Sequence, residues 1–551
     1  MRTLKRITFC ALLALVAAGA GAQRRSDGEM ESLAREALGE LGGEARSNSL
    51  NDVEIGCIAD FEGISLWGAS GYGFAVVSKY EGLRGVVGVA ATDYDEESLP
   101  CGLEWWLEAV DEALASKGEM GEGSLMTVAD NVEDDYYFVT TLWSQGSPYN
   151  DLCPELNGSS TVTGCLPLAL SQIMNYYEYP EHGKGTGSYT LGEVEYLNQE
   201  INSVYDWSHM LDSYDDGGGT DDQLTAVSTL LFDACKASKV EFGTMASGGV
   251  ASDAVDGAIQ NFSYDSLALC FYYRMFYADD EWMEIVYDEL ESENPILYCG
   301  EDPKEGGHAF VFDGVRGDGL VHVNWGWGGS YDGWYAIDDL DPSSYSFSDS
   351  QCMIFGFRPD SIPAEGEENT SLWAIQGSYT ISIQSRGRAT LNFNVTGLFN
   401  VNHRQFDGTL YLVIADTLGN KTMLELYTGT IDAYYGWDEA GASYDITDLE
   451  QGTYLIYLVS KSTEESDYQY VRSLGGVEFF TLTVGERNRY TIEQGDLTGV
   501  VSAVTTEKDD EDDGVRVYDT SGRLLGTSTE GLSGIVIVKE GGETKKVLLT
   551  K

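Results

Sequence analysis

The chain has 551 residues, with 91 acidic against 32 basic side chains and a formal net charge of −59 at pH 7. This length is too great for one hydrophobic core, so we expect three or four domains, and the hydrophobic share of 42% is ordinary for globular domains. Because so acidic a chain has nothing to neutralise phosphates, nucleic acid is excluded as a partner and anionic membrane surfaces are disfavoured. A large excess of acidic side chains is typical of secreted proteins, which it keeps soluble.

The first 22 residues have the pattern of a secretory signal peptide. A basic start at residues 1–6 precedes an apolar run at residues 7–18, and small residues at positions 20–22 offer a cleavage site before Gln23. We therefore expect a secreted or cell-surface protein. No other segment is long and apolar enough to predict a membrane-spanning helix.

Residues 23–130 are predicted to form a small α+β domain that ends in a linker. Helical patterns occupy residues 30–38 and 103–113. Between them, short strands are predicted at residues 53–58, 64–67, 73–78 and 85–91. A small antiparallel sheet with a covering helix fits this order. Residues 117–130 are rich in Gly, Glu and Ser and predict a linker.

Residues 131–363 predict a second α+β domain, in which helices precede strands. A helix is expected to begin at Cys165 and to continue to Tyr177, with Pro167 in the first turn, where a missing N–H costs little. Further helices are predicted at residues 220–236 and 280–293, and strands at residues 296–299, 308–313, 320–325 and 333–337. This order indicates an α+β domain with segregated layers.

The remainder of the chain has the alternating pattern of β-structure. Residues 366–495 predict an all-β sandwich, with strands at residues 379–385, 389–395, 408–414, 423–427, 454–460 and 477–484. This region has one histidine, His403, and no cysteine, so we expect no catalytic set there. Residues 506–551 predict an acidic linker at 506–513, followed by a compact run of three short strands.

The cysteines do not have the spacing of a metal site. They occur at positions 10, 57, 101, 153, 165, 235, 270, 299 and 352. The absence of a C-x-x-C pair argues against a zinc ribbon, and no metal ion or organic cofactor is expected. Disulfides cannot be paired from this sequence, so the six cysteines beyond residue 130 could be bridged, free or mixed.

One of these thiols, Cys165, has the sequence context of a nucleophile. It follows Gly164, which allows close approach of backbone or substrate, and it opens a helix whose N-terminal dipole favours thiolate over thiol. Upstream, Gln145 offers an amide N–H that can face the negative charge of an oxyanion. Taken alone, a cysteine of a secreted protein is far more often a structural thiol or half of a disulfide.

A cysteine nucleophile needs an imidazole to take its proton and a side chain that holds this imidazole in place. His308 follows Gly306 and Gly307, which widen access instead of filling space, although a lone histidine is more often a buried core residue. Asn324 could orient His308 or be a turn residue. Trp325 is expected to shield the imidazole edge, whereas His322 is interpreted as structural.

These residues together resemble the streptopain-type cysteine peptidases. The resemblance covers roughly residues 130–345 and rests on separate motifs that occur in the family's order. The motifs are Trp-Ser-Gln-Gly-Ser-Pro-Tyr-Asn at 143–150, Thr-Gly-Cys at 163–165 with Gln-Ile-Met-Asn-Tyr at 172–176, Tyr-Asp-Trp at 205–207, Gly-Gly-His-Ala-Phe-Val at 306–311 and Val-Asn-Trp-Gly-Trp-Gly-Gly at 323–329.

The resemblance implies a papain-like peptidase domain, a preceding inhibitory α+β propeptide (residues 23–130) and a set of site residues. In that family's pattern, Cys165 is the nucleophile, His308 the base and Gln145 the oxyanion donor. Asn324 and Trp325 are then the pair that orients the histidine. The run from Val515 resembles the sorting domains of type IX secretion substrates, which implies a secretion machinery as a partner.

The substrate-binding region departs from the family's pattern. Residues 242–249 match the Ser/Gly-rich substrate-binding loop only loosely, and we assign Ser247, Gly248 and Gly307 to substrate binding. After Cys165 the family has small residues where this chain has Leu-Pro-Leu, so Pro167 could alter the start of the helix.

The predicted reaction is hydrolysis of protein or peptide substrates through an acyl-enzyme on Cys165, by a secreted endopeptidase made as a zymogen. One alternative is a catalytically inactive surface protein that binds carbohydrate or protein through the β-sandwich. Another is a transpeptidase or amidase that uses the same thiol. The complete set of Cys, His, Asn and Gln favours the peptidase.

Overall fold

A computed structural model describes most of the chain. The described residues are 22–41, 49–120, 136–214, 218–302, 306–338, 351–359, 372–384, 388–465, 467–487, 489–495 and, near the C-terminus, 516–519, 524–526, 534–540 and 543–549. Residues 1–21 of the predicted signal peptide, residues 121–130 of the predicted linker and the predicted acidic linker at 506–513 lie outside this part. Within it, no helix combines the length and the apolar character that crossing a membrane requires.

The N-terminal elements agree with the predicted order of helix, strands and helix. They are α1 (Asp27–Glu40), β1 (Gly56–Asp60), β2 (Ile64–Ala69), β3 (Gly73–Ser78), β4 (Val86–Ala90) and α2 (Cys101–Met120). Ser26 caps α1 together with Glu29 in a capping box. Because α2 continues to Met120, the first residues of the predicted linker are helical instead.

The middle of the chain contains the following elements: β5 (Tyr136–Tyr137), β6 (Glu155–Leu156), β7 (Ser159–Ser160), α3 (Cys165–Tyr176), β8 (Thr186–Leu191), β9 (Val194–Glu200), α4 (Asp221–Ala237), β10 (Glu241–Phe242), α5 (Ala251–Gln260), β11 (Cys270–Tyr273), α6 (Asp279–Glu291), β12 (Ile296–Asp302), β13 (Gly306–Val315), β14 (Val321–Asn324), β15 (Gly333–Tyr335) and β16 (Cys352–Phe355). The three predicted helices and four predicted strands are confirmed. Helix α5 and the β8–β9 hairpin were not predicted, because β9 is almost entirely exposed and α5 is a short, Ala- and Gly-containing helix.

The remaining strands are β17 (Trp373–Ile375), β18 (Tyr379–Gln384), β19 (Thr390–Asn400), β20 (Phe406–Asp416), β21 (Lys421–Ile431), β22 (Gly436–Asp445), β23 (Gly452–Ser462), β24 (Gln469–Tyr470), β25 (Phe480–Gly485), β26 (Arg489–Gln494), β27 (Arg516–Asp519), β28 (Leu524–Gly526), β29 (Gly534–Glu540) and β30 (Glu543–Leu549). The predicted run of three C-terminal strands is wrong in number. The short β28 completes a four-stranded sheet in the order β28-β27-β29-β30.

Contacts divide the chain into two compact units that do not follow simple sequence boundaries. The first comprises Met1–Tyr136, Val315–Trp325 and Gly329–Phe347, and the second comprises Tyr137–Gly314, Gly326–Gly328 and Ser348–Lys551. The peptidase-like region therefore contributes segments to both units.

The first unit is built on an antiparallel sheet in the order β1-β2-β3-β4-β15-β14. Val89 of β4 pairs with Trp334 of β15, so the N-terminal sheet extends into a segment from far along the chain. Trp106 of α2 is buried and donates its Nε1–H to the Ala336 carbonyl at 2.8 Å. The predicted sheet with a covering helix is present, but it includes strands that local sequence patterns did not connect.

The second unit contains a helical part, an antiparallel sheet and the sandwich. Helix α3 packs against α4 and α5, and β13, β12, β16 and β11 follow one another in a sheet. The sandwich has one sheet built on β17, β19, β18 and β22 and another on β21, β20, β23, β25 and β26. Both sheets contribute buried side chains to one core, among them Leu391, Phe393, Leu410, Leu412 and Ile456. The all-β sandwich is thus confirmed.

Candidate active site

The thiol of Cys165 lies at the N-terminus of α3, where the sequence predicts it. Gly164 caps this helix with φ of 89°, and a Cβ at Gly164 would lie 2.7 Å from the Ser247 carbonyl oxygen. Glycine is therefore required both by backbone conformation and by close approach. Pro167 is buried in the first turn, and the helix still begins at Cys165, so the proline is accommodated without moving the helix start.

The strand that carries His308 approaches this thiol closely. His308 pairs with Gly300 across β12 and β13, and the backbone N–H of Ala309 donates to Cys165 Sγ at 3.3 Å, across 144 positions of sequence. Cys165 and His308 are both half-buried, so neither is sealed from solvent. A hydrogen bond donated to sulfur favours the thiolate over the thiol. The Ala309 N–H was not foreseen, since a backbone donor has no signal in the side-chain sequence.

A tightly bonded loop holds Gln145 beside the start of α3. Trp143 is fully buried and donates its Nε1–H to the Leu211 carbonyl at 2.8 Å. The Gln145 carbonyl accepts the Thr163 N–H at 3.2 Å, two residues before Cys165. The Gln145 side chain is half-buried. The backbone of Gln145 is therefore anchored close to Cys165, and its amide is not enclosed by the core.

The predicted substrate-binding residues differ in how their groups are engaged. Ser247 Oγ donates to the Val162 carbonyl at 2.6 Å and accepts the Gly243 N–H at 3.0 Å. Gly248 is exposed, but its N–H and C=O both bond to Glu241, at 3.0 and 2.8 Å. Gly307 is exposed. The 243–248 loop is thus a fixed wall beside Gly164.

Asn324 and Trp325 belong to the first unit. Asn324 ends β14 and is buried, while the buried Trp325 donates its backbone N–H to Asp332 Oδ1 at 2.9 Å. The Trp325 ring meets Tyr335 edge-on, with 5.3 Å between ring centroids. His322 is buried with its ring edge-on to Trp334, in agreement with its interpretation as a structural residue.

The structure therefore brings Cys165, Gln145, Ser247 and the His308 strand together in the second unit, and it positions Asn324 and Trp325 within the first. Among the described residues, no group of three or more His, Cys, Asp and Glu side chains is arranged to hold a metal ion. A half-buried thiol at a helix N-terminus, next to a histidine-bearing strand, can perform nucleophilic acyl transfer.

A family model named Peptidase C10 family matches residues 143–335, the stretch that contains every candidate site residue. The chain belongs to the peptidase C10 family. A solved fragment of prointerpain A from Prevotella intermedia is 31% identical, with a TM-score of 0.50, over 55% of this chain and 98% of that fragment. The resemblance to streptopain-type cysteine peptidases and the α+β, papain-like fold are thereby confirmed.

This C10 family member is also similar in sequence to two curated proteins. Streptopain of Streptococcus pyogenes is 28% identical over 351 residues, which are 57% of this chain and 85% of streptopain. The thiol protease/hemagglutinin PrtT of Porphyromonas gingivalis is 32% identical over 236 residues, which are 41% of this chain. The chain spans about a quarter of the length of PrtT, since the match covers 27% of that protein.

Proposed function

We propose that this protein is a secreted cysteine endopeptidase, made as a zymogen, that hydrolyses proteins through an acyl-enzyme on Cys165. The observation that carries the proposal is the 3.3 Å hydrogen bond from the Ala309 N–H to Cys165 Sγ. It brings the thiol next to the residue that follows His308, although the two lie far apart in sequence. Membership of a family whose named relatives are thiol proteases supports the same chemistry.

In this mechanism the Cys165 thiolate attacks the scissile carbonyl. The Gln145 side-chain amide and the Cys165 backbone N–H stabilise the oxyanion, because fixed donors at this position cost no reorganisation. The His308 imidazolium protonates the leaving amine, and the neutral imidazole then activates water for deacylation. From the family's pattern alone, Asn324 and Trp325 are proposed as the pair that orients His308.

Substrate binding is proposed at the wall formed by residues 243–248 and at Gly307. The exposed Gly248 and Gly307 leave room for an extended peptide, since neither has a side chain. The Gly248 N–H and C=O are already bonded to Glu241, so main-chain pairing with a substrate falls to neighbouring groups such as those of Ser247. Protein or peptide substrates are the class that fits this backbone-lined wall.

The zymogen proposal rests on the sheet of the first unit. Strand β4 of the predicted propeptide pairs with β15, and β15 pairs with β14, which ends at Asn324. The N-terminal domain thereby forms one sheet with the segment that contains Asn324, the first residue of the proposed orienting pair. An intramolecular inhibitor is expected to make such a contact. Propeptide removal should produce a new N-terminus after Met120, where α2 ends, and before about residue 141.

Export completes the proposed function. The signal-peptide pattern of residues 1–22 supports secretion or display at the cell surface, and the four-stranded C-terminal sheet supports recognition by a secretion machinery. The name prointerpain A, carried by the solved P. intermedia fragment, is consistent with a pro-form in this family.

The test is hydrolysis of a denatured protein by the processed chain, with products sequenced by mass spectrometry. Cleavage at internal bonds is expected for the wild type and is lost in Cys165→Ala, while circular dichroism stays unchanged. The matched control is Cys270→Ala, which removes a buried thiol of the same unit. If Cys165→Ala retained activity, or if the wild type bound substrate without cleaving it, the proposal would be overturned in favour of a binding protein.

A further inference from the structure

Two thiols of the second unit face each other across neighbouring strands. In the antiparallel pair of β12 and β16, Cys299 lies directly opposite Cys352. Directly opposed residues place their side chains on the same face of a sheet, with Cα atoms about 4.5–5.5 Å apart. Disulfides require Cα atoms about 4.4–6.8 Å apart. The register alone therefore meets the backbone requirement for a covalent bond between these residues.

The side chains of this pair also interact. The neighbouring Cys352 thiol and burial together raise the pKa of the Cys299 thiol well above its ordinary range, with the charge of the nearby Cys165 adding to the effect. Cys352 is buried, whereas Cys299 is only partly buried. Both are free thiols in this structure, so the pair is a dithiol with one partly buried and one buried member.

The third cysteine of the same sheet serves as an internal comparison. Cys270 on β11 is buried, and the residue opposite it on β16 is Phe355. Burial raises the pKa of the Cys270 thiol to about 12. Cys270 thus has the same burial and the same sheet as Cys352, but it faces an aromatic ring.

We propose that Cys299 and Cys352 are a disulfide site, oxidised when the protein reaches an oxidising compartment. The oxidant is a small-molecule or protein disulfide. The Cys299 thiolate attacks one sulfur of the oxidant, releases the other as a thiol and forms a mixed disulfide. The Cys352 thiolate then attacks Cys299 Sγ and expels the second thiol. The protein loses two S–H bonds and gains one S–S bond, while the oxidant gains both protons and both electrons.

The bond would fasten the sheet beside the candidate active site. Cys299 also lies opposite Ala309 on β13, and the Ala309 N–H is the donor to Cys165 Sγ. A link from β12 to β16 closes the chain segment that contains β13, β14 and β15, which restricts the unfolded chain. The inference is separate from the peptidase reaction, since it requires neither Cys165 nor His308 to react.

The experiment is peptide mapping of the full chain. The protein is equilibrated with oxidised glutathione, free thiols are alkylated, and the chain is digested without reductant. The expected product joins the Cys299 peptide to the Cys352 peptide and disappears on reduction, while Cys270 is recovered alkylated. Mapping by peptide is needed because Cys153 packs against the cluster that contains Cys235. Recovery of Cys299 and Cys352 as alkylated peptides, or Cys299 joined to any other residue, would overturn the proposal.

A second measurement separates this link from other thiols. Reduction of the oxidised wild type is expected to lower the Tm by on the order of 5 °C. The Cys352→Ser variant should lose this response to reductant, and the matched Cys270→Ser variant should keep it. If Cys352→Ser still responded as the wild type does, the stabilising bond would lie elsewhere.

Discussion

The peptidase region and the β-sandwich each contain a histidine near their folded core, and the two are held differently. His403 of the sandwich donates its Nε2–H to the Ser266 carbonyl at 3.1 Å, and burial lowers its pKa to about 4. His308 is half-buried on a strand whose next residue binds a thiol. The two residues are buried to a similar degree, so their partners separate them: His403 stays neutral on a backbone carbonyl, whereas His308 lies beside the candidate thiol.

The strands of the two regions also differ in how much of each strand is buried. Strand β16 is buried along its whole length, but β18 alternates between buried and exposed residues over its first four positions. A strand that is covered on both faces can present a thiol or a backbone N–H in a dry setting, where electrostatic effects are large. A sandwich strand with one face in water offers fewer such positions. Reactivity in this protein should therefore be confined to the peptidase region.

Exchanging each histidine for alanine is the strongest way to break this comparison. His308→Ala should lower kcat/KM for a peptide substrate by about 10³-fold or more, because the thiol loses its base and the leaving group its acid. His403→Ala, the matched control, should leave kcat/KM within about twofold. Steady-state kinetics on the processed enzyme measure both, and equal losses would mean that His308 has only a structural role.

A smaller loss is expected for the proposed oxyanion donor. Gln145→Ala should lower kcat by about 10²-fold with little change in KM, since the amide acts on the charge that develops in the transition state. Gln405, an exposed amide of the sandwich, is the control, and Gln405→Ala should be kinetically silent. A rise in KM at constant kcat would instead assign Gln145 to ground-state binding.

A substitution at Glu289 of α6 can test whether burial in the peptidase region keeps a carboxyl group protonated. Burial raises the pKa of its carboxyl to about 7, above the 4.5 expected in the unfolded chain. Because the folded state holds this proton more tightly than the unfolded chain does, the protonated carboxyl contributes its full stability below about pH 4.5. This contribution is lost as the pH rises to about 7. The stability of Glu289→Gln relative to wild type should thus increase by about 2 kcal/mol between pH 4.5 and 8.

Urea unfolding at a series of pH values measures this effect. The matched variant is Glu293→Gln, which removes an exposed carboxyl two residues beyond α6 and reports the effect of the same substitution at the surface. A constant difference for Glu289→Gln would show that its carboxyl is not held away from water in solution.

The smallest effect concerns the contact between the sandwich and α6. Arg472 lies over the Tyr277 ring, 3.8 Å from its centroid, and pairs with Glu281 at 3.0 Å. Arg472→Ala should cost about 1 kcal/mol of stability and leave kcat unchanged, because the contact is structural. The exposed pair of Arg388 and Asp445 is the control, and Arg388→Ala should cost less. A change in kcat would mean that the sandwich influences catalysis.

Local sequence patterns predicted the helices and strands whose signals lie in residues close together along the chain. The Gly-Cys step before an apolar run predicted the start of α3 at Cys165, and alternation predicted the sandwich strands, because both depend on residues close in sequence. Strand β28 and the β8–β9 hairpin were not predicted, since their short or exposed segments have little apolar periodicity. The candidate site residues were predicted from motifs, and the order of motifs along the chain does not tell how far apart their side chains lie in space.

The sequence by itself determined the fold class, the thiol and histidine worth examining, and the positions of most helices and strands. Only the tertiary structure decided that β4 pairs with β15, that Cys299 faces Cys352, and that the Ala309 N–H reaches Cys165 Sγ. These contacts join residues separated by tens to hundreds of positions. Strand register between distant segments arises from packing of the whole sheet, and no local pattern of side chains encodes it.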